Sequence, residues 1–256
     1  MNTDAGKINT GYNKNFGKWF LTEVIHAIQK YRLISNGEKV CVALSGGKDS
    51  ITLLYILFCV QKYSYFDFAL EAAHIRMADY DTAILRHYCK QLEIAYHEKD
   101  LFFENNRSTT NNCYLCSRLR RSAIADLIRD TGAAKVAYGH HADDAAETFL
   151  MNMIQHRILG SFAPRVVFHQ KPMILIRPLI YLDNSKINAI HKYAGLPVLN
   201  TECQSRRFNI RNQYREFLDH INQHFHIRNF SLRLVQALEN IDWENLWDDR
   251  IKSDNK

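Results

Sequence analysis

Apolar positions along the chain alternate between helical spacing and short uninterrupted runs. From about Phe16 to Leu33, the residues Phe20, Val24, Ile25, Ile28 and Leu33 fall at helical spacing, and Asn36-Gly37 turns the chain. Lys39 to Leu44 is short and rich in β-branched residues, as a strand buried on both faces must be. Ile51 to Val60 is an apolar helix, Ala69 to Ile75 a second strand, Asp79 to Leu92 a helix and Glu93 to His97 a third strand. A polar stretch, Glu104 to Asn112, leads to a helix from Leu115 to Asp130 that ends at Gly132. Lys135 to Tyr138 is a fourth strand and Asp143 to Gln155 a helix, while His156 to Lys171 has no clear period. Met173 to Ile176 is a fifth strand, stopped by Pro178, and Asn184 to Ala194 a helix. The tail from Arg206 to Lys256 is basic and helical.

Strands alternating with helices predict an α/β fold: a five-stranded parallel sheet with helices on both faces, an N-terminal helix and a helical C-terminal tail. The expected division is an N-terminal helical segment over 1–37, a main domain over 38–200 and a basic helical segment over 201–256. Ligands of such sheets sit beyond the carboxyl ends of the strands, so the loops after Leu44, Ile75 and Tyr138 should carry the chemistry.

Charge narrows the partners. The 33 Lys and Arg exceed the 27 Asp and Glu, for a formal net charge of +6, which permits an anionic partner without proving one. The chain has no apolar run long enough to span a bilayer, and its polar first residues lack the apolar core of a signal peptide. The expectation is a cytoplasmic protein with no membrane partner, in which the six cysteines are reduced thiols or metal ligands. Cys41, Cys59 and Cys89 sit among apolar neighbours and read as core.

The loop Ser45-Gly46-Gly47-Lys48-Asp49-Ser50 joins the first strand to a helix. Its glycines let backbone N–H groups approach an anion, the helix presents its positive end, and Lys48, Ser45 and Ser50 add donors. It is not a Walker A loop, because Val42 stands where that pattern needs glycine and Asp49 follows the lysine. A carboxylate beside polyphosphate implies Mg²⁺ between them, so Asp49 is the candidate magnesium ligand and a catalytic residue. After the fourth strand comes Gly139-His140-His141-Ala142-Asp143-Asp144. Here Asp143 and Glu147 share one helix face, as do Asp144 and Thr148, and Asp143 is a candidate cap.

Cys113-Tyr-Leu-Cys116 opens the helix after the polar stretch, where the dipole favours thiolates. Its spacing suits one metal or a redox disulfide. The chain has no second CxxC pair to complete a zinc ribbon, and Cys203, in a polar context, is the candidate third thiolate. On the same helix Arg118 and Arg121 share a face while Arg120 points elsewhere. Arg206, Arg207, Arg211 and Arg215 form a second basic cluster interleaved with Phe208 and Tyr214, suited to phosphate contacts and base stacking. Trp243 and Trp247 read as a packing stripe in the last helix.

The loop at Ser45–Ser50 resembles the PP-loop of the N-type ATP pyrophosphatases, a Rossmann-like family that cleaves ATP between its α- and β-phosphates. Within that group, Cys113 to Arg121 resembles the CxxC-Ser-Arg-Leu-Arg-Arg block of the tRNA 2-thiocytidine synthetases (the TtcA family), and the N-terminal helix, the Gly139–Asp144 block and Ile176-Arg-Pro-Leu179 follow in order. The resemblance implies ATP, Mg²⁺ and a [4Fe-4S] cluster on Cys113, Cys116 and Cys203, with Cys113 and Cys116 taking a catalytic part. It implies nucleotide contacts at Ser45 to Ser50, His74, Gly139, His140 and Asp144. It also implies that a tRNA pyrimidine, foremost an anticodon-loop cytidine, is adenylated at its C2 oxygen, which sulfur then replaces. Candidate partners are tRNA, held by Arg118, Arg121, Arg207 and Arg211, a cysteine desulfurase or other sulfide donor, and a second copy of the chain.

Three features depart from that family, the first being the sequence around Cys203. The second strand ends His74-Ile-Arg-Met77 where an Asn-x-Asp-like element is expected, and Phe208 to Arg215 is similar to the RNxxR segment of tRNA-lysidine synthetases. The competing expectations are therefore a PP-loop ligase that adds an amine, a cluster-free thiolase using Cys113 and Cys116 as persulfide and disulfide partners, and a nucleotide-binding redox sensor. Iron content and tRNA-dependent pyrophosphate release separate them.

Overall fold

The computed structural model describes residues 7–101, 113–129, 131–168, 173–199, 211–245 and 247, and of 113–117 it describes only the helical backbone. The first helix begins as a π-helical turn, Gly17–Leu21, and continues as α1, Thr22–Lys30. β1 (Lys39–Ala43) leads into α2 (Lys48–Tyr63), β2 (Ala69–Arg76) into α3 (Ala83–Gln91), and β3 (Ala95–Asp100) is followed by α4 (Cys113–Arg129). β4 (Lys135–Ala137) precedes α5 (Ala142–Met151), which ends in a π-helical turn, Asn152–His156. β5 (Arg165–Phe168) and β6 (Met173–Ile176) then precede α6 (Asn184–Ala194).

The sheet has six strands, in the order β3-β2-β1-β4-β6-β5, one more than the sequence predicts. The extra strand, β5, is an antiparallel edge strand pairing Arg165 with Ile176 and Phe168 with Met173. Its side chains alternate between exposed and half-buried, and its apolar run, Val166 to Phe168, is only three residues long within a segment that has no clear period. The other five strands are parallel.

β1 shows why the sheet is covered on both sides. Val40 and Val42 enter the larger core with α1, α2, α3 and α6, while Cys41 and Ala43 enter a second core beneath α4, against Ala123, Ile124 and Ile128. Period-2 alternation thus feeds two apolar faces, and Val40 to Ala43 reads as uniformly apolar. Cys41, Cys59 and Cys89 are buried thiols, as expected.

The described part of the basic tail holds two helices, α7 (Arg211–His224) and α8 (Phe230–Glu239), the latter capped by Asn229, whose side chain accepts from the N–H of Leu232 at 3.0 Å. α7 packs on α5 through Tyr214 and Leu218 against Ala146 and Leu150. α8 is tied to α1 by Glu239, which accepts from the hydroxyls of Tyr31 and Tyr181 and lies 2.7 Å from Lys30 Nζ. Trp243 and Trp247 form no packing stripe: Trp243 is 58% exposed in a short 3₁₀ turn, and Trp247 is fully exposed. Among the described residues no helix is long and apolar enough to cross a membrane.

Candidate active site

Strand order reverses between β1 and β4, so their carboxyl ends open the crevice where a ligand sits in such sheets. The loops at that point are 44–47 and 138–141, and they touch. A Cβ on Gly139 would lie 2.9 Å from the carbonyl carbon and oxygen of Asp49, so only glycine lets the two loops close on each other.

The phosphate loop is held in shape by its own serines. Ser50 Oγ lies 2.9 Å from Ser45 Oγ, accepts from the N–H of Ser45 at 3.1 Å and donates to the Gly47 carbonyl at 2.9 Å. Gly46 adopts φ +84°, and a Cβ there would stand 2.7 Å from Leu199 Cβ. The N–H of Leu199 donates to the Gly46 carbonyl at 2.9 Å, so the chain entering the Cys203 region is latched to the loop. Lys48 Nζ donates to Asn184 Oδ1 at the start of α6 and lies 3.0 Å from Asp49 Oδ1. Asp49 Oδ1 is nonetheless buried and accepts no hydrogen bond.

Across the crevice, His141 is enclosed by carboxylates. Its Nδ1 lies 3.4 Å from Asp143 Oδ2 and its Nε2 3.5 Å from Asp144 Oδ2 and 4.0 Å from Asp49 Oδ1. Burial opposes its protonation, but Asp143, Asp144 and Asp49 together raise its pKa. Asp144, rather than Asp143, caps α5: its Oδ2 accepts from the N–H of His141 at 2.9 Å. Asp143 also ties α6 and α8, accepting from the N–H of Asn184 at 2.7 Å and from Ser231 Oγ at 2.7 Å. Burial would raise its pKa, but His141, Ser231 and the Asn184 N–H hold it down at about 2.

His140 faces the other way. Its ring stacks on Tyr138 with centroids 5.8 Å apart, and Arg177 Nε donates to its Nδ1 at 3.2 Å. Burial, with Arg177 and Arg211 adding to it against Asp144, lowers its pKa to about 4. The imidazole is therefore neutral at physiological pH, and with Nδ1 accepting, Nε2 carries the proton and is a donor.

His74 is 1% exposed, with Nδ1 2.7 Å from the Leu44 carbonyl and Nε2 3.2 Å from the Tyr80 hydroxyl. Its ring thus anchors the strand end that delivers the phosphate loop. Cys113 and Cys116 open α4, one helical turn apart. Cys203 and Arg207 lie outside the described residues. On α4, Arg118 is exposed while Arg120 and Arg121 are partly buried, so the inward pair differs from the pair that the helical spacing groups. Arg211 begins α7 and acts electrostatically on His140.

Sequence reading passed over Asn184, Arg177 and the pair formed by Glu147 and Arg215. Glu147 is 1% exposed, and Arg215 Nε and Nη2 reach its Oε1 at 2.9 and 2.8 Å. The i, i+4 position of Glu147 after Asp143 marked it as helical but gave no hint of a partner 68 residues away.

The PP-loop domain family matches residues 20–221. The tRNA-cytidine(32) 2-sulfurtransferase of Stutzerimonas stutzeri is 33% identical over 194 residues, covering 73% of this chain and 71% of that protein. The enzyme of the same name from Acinetobacter baumannii is 32% identical over 234 residues, covering 88% of this chain and 77% of the relative. Among solved structures, the U34-tRNA thiolase NcsA from Methanococcus maripaludis, with its [4Fe-4S] cluster, superposes with a TM-score of 0.67 at 21% identity, over 87% of this chain and 80% of that one. At that identity the likeness speaks for the fold.

Proposed function

Since the chain belongs to the PP-loop family and, within it, to the tRNA-cytidine(32) 2-sulfurtransferases, we propose that it uses ATP to replace the C2 oxygen of an anticodon-loop cytidine in tRNA with sulfur. The observation that carries this reading is the meeting of the two loops at the strand-order reversal, with Gly139 against Asp49 and His140 beside them.

The division of labour follows from the geometry. The N–H groups of the loop that its own serines leave free and the positive end of α2 bind the phosphates, and Lys48, presented by Asn184, adds a point charge. Asp49 would hold Mg²⁺: its Oδ1 is buried without a hydrogen bond, and this cation commonly takes one protein carboxylate plus phosphate oxygens. His140 stays neutral and offers Nε2–H as a donor to an oxygen that gains charge. Adenylation joins the C2 oxygen of the base to the α-phosphorus and releases pyrophosphate. Attack by sulfur at C2 then releases AMP. Holding both reactants in one crevice supplies most of the rate.

Cys113 and Cys116, with Cys203, would hold a [4Fe-4S] cluster. Two soft thiolate donors on the first turn of a helix fit such a group. When bound, a three-cysteine cluster supplies one iron position open to an exogenous sulfur ligand. Arg118 and Arg211, with Arg207, are the proposed tRNA contacts. A cysteine desulfurase or another sulfide source, a second copy of the chain and a cytoplasmic setting complete the reading.

The test is mass spectrometry of tRNA nucleosides from a strain lacking the gene, where a thiolated cytidine should vanish. Loss of a lysylated nucleoside instead, or an unchanged profile, would overturn it. Protein purified without oxygen should carry iron and sulfide, and Cys113→Ser should bleach it. A colourless protein that still thiolates tRNA would sink the cluster.

A further inference from the structure

Arg120 and Arg121 have an oddity in common. Nε of each is buried and has no hydrogen-bond partner. The hydroxyl of Tyr138 is likewise buried and unpartnered. Arg177, only 7% exposed, completes the group, and its guanidinium lies over Phe162 at 4.4 Å while that of Arg121 lies over Phe168 at 5.6 Å. Among the described residues neither Arg120 nor Arg121 forms an ion pair with a carboxylate, although Arg121 and Arg120 both act on Tyr138 and Arg121 acts on Arg177.

Gathering like charges in a half-buried place is costly unless an anion joins them. Three guanidinium groups donate only and the phenol hydroxyl can donate with them, so the missing partner is an acceptor. The position says which kind. Arg120 lies one helical turn beyond Cys116, roughly 6 Å along α4. Tyr138 stacks on His140 at the nucleotide crevice. Tyr138 and Arg177 thus both touch His140, and Arg120 and Arg121 lie on the helix that the two cysteines open. Their burial and aromatic walls suit a small, weakly hydrated anion, which guanidinium, itself weakly hydrated, can pair with at little desolvation cost. Arg118, exposed on the same helix, is the one open to a phosphate backbone.

We propose that Arg120, Arg121, Arg177 and Tyr138 form a binding site for a small sulfur anion of the hydrosulfide class, beside the centre where sulfur is transferred. The site rests on the sulfurtransferase reading for its ligand, but not for its existence as an anion site.

Two measurements test it. Crystals of the full chain soaked in bromide should show an anomalous peak among the three guanidinium groups. Their absence from an otherwise occupied map overturns the site. With sodium sulfide as sulfur source, Arg121→Gln should raise the KM for sulfide on the order of tenfold and leave the KM for tRNA and ATP in place. Tyr138→Phe should do the same to a smaller extent. A variant that instead raises the KM for tRNA makes these residues phosphate contacts and overturns the proposal. Wild-type protein that thiolates nothing defeats the functional reading alone, and the bromide map then decides the anion site by itself.

Discussion

Two arginine-bearing helices flank the crevice, and they treat their charges in opposite ways. On α7, Arg215 grips the buried carboxylate of Glu147 with two nitrogens. On α4, Arg120 and Arg121 turn inward with Nε buried and unpartnered. A paired charge fastens one helix to another. An unpaired one is tolerated because something else needs it. The pairing state of an arginine therefore separates architecture from chemistry better than its exposure does, and the comparison can be broken by measuring stability on both sides.

The largest effect is expected on the paired side. Arg215→Ala leaves Glu147 charged and buried, which should cost about 2–3 kcal/mol, short of a fully buried pair because Arg215 is half exposed. Burial already raises the pKa of Glu147 against the pull of Arg215. A carboxyl with a raised folded-state pKa supports folding below its unfolded value, and that support is lost as pH rises through the folded value. Without Arg215 the folded value climbs further. The deficit in urea unfolding should thus be full at neutral pH and shrink in mild acid. A deficit equal at both pH values would show that lost packing, not the stranded charge, is responsible.

Asp143 belongs to the same paired class, and its effect should be next in size. Its folded-state pKa is held at about 2 despite burial, by His141, Ser231 and the Asn184 N–H. A depressed carboxyl pKa stabilises the fold above the unfolded value, and the gain is lost as pH falls through the folded value. The gap from an ordinary aspartate corresponds to about 2 kcal/mol. Asp143→Asn should therefore lie about 2 kcal/mol below wild type at neutral pH, and the two unfolding curves should converge between about pH 4 and pH 2. A constant offset across that range would remove Asp143 from the titrating set.

The sequence shows unevenly what these two helices do. β1, the phosphate loop and α2 are legible because a β-branched run, two glycines and a long apolar helix each carry a local signal in register. β5 is not, because three apolar residues, Val166 to Phe168, are too short a run to separate an edge strand from a loop. The tie between Glu147 and Arg215, and the latch from Leu199 to Gly46, join segments far apart in the chain, and no period within either segment encodes its partner. The arginines of α4 fall between these cases. Helical spacing sets Arg118 and Arg121 on one face, but only the packing of α4 against the sheet decides that Arg120 and Arg121 are the inward pair.

That inward pair supplies the smallest and most discriminating effect. Arg121→Gln removes one cation–π contact with Phe168, worth about 0.5–1 kcal/mol. It also removes the like charge that, with burial, depresses Arg177 to about 10. The loss and the relief oppose each other, so the stability of the variant should stay within about 0.5 kcal/mol of wild type. Bromide should then separate the two proteins. An anion that binds the folded state alone raises Tm by mass action, so wild type should gain Tm over the variant as bromide replaces an impermeant, non-binding anion at constant ionic strength. A variant more than about 2 kcal/mol less stable than wild type in the absence of bromide would place Arg121 with Arg215 among the structural arginines and erase the contrast between the two helices.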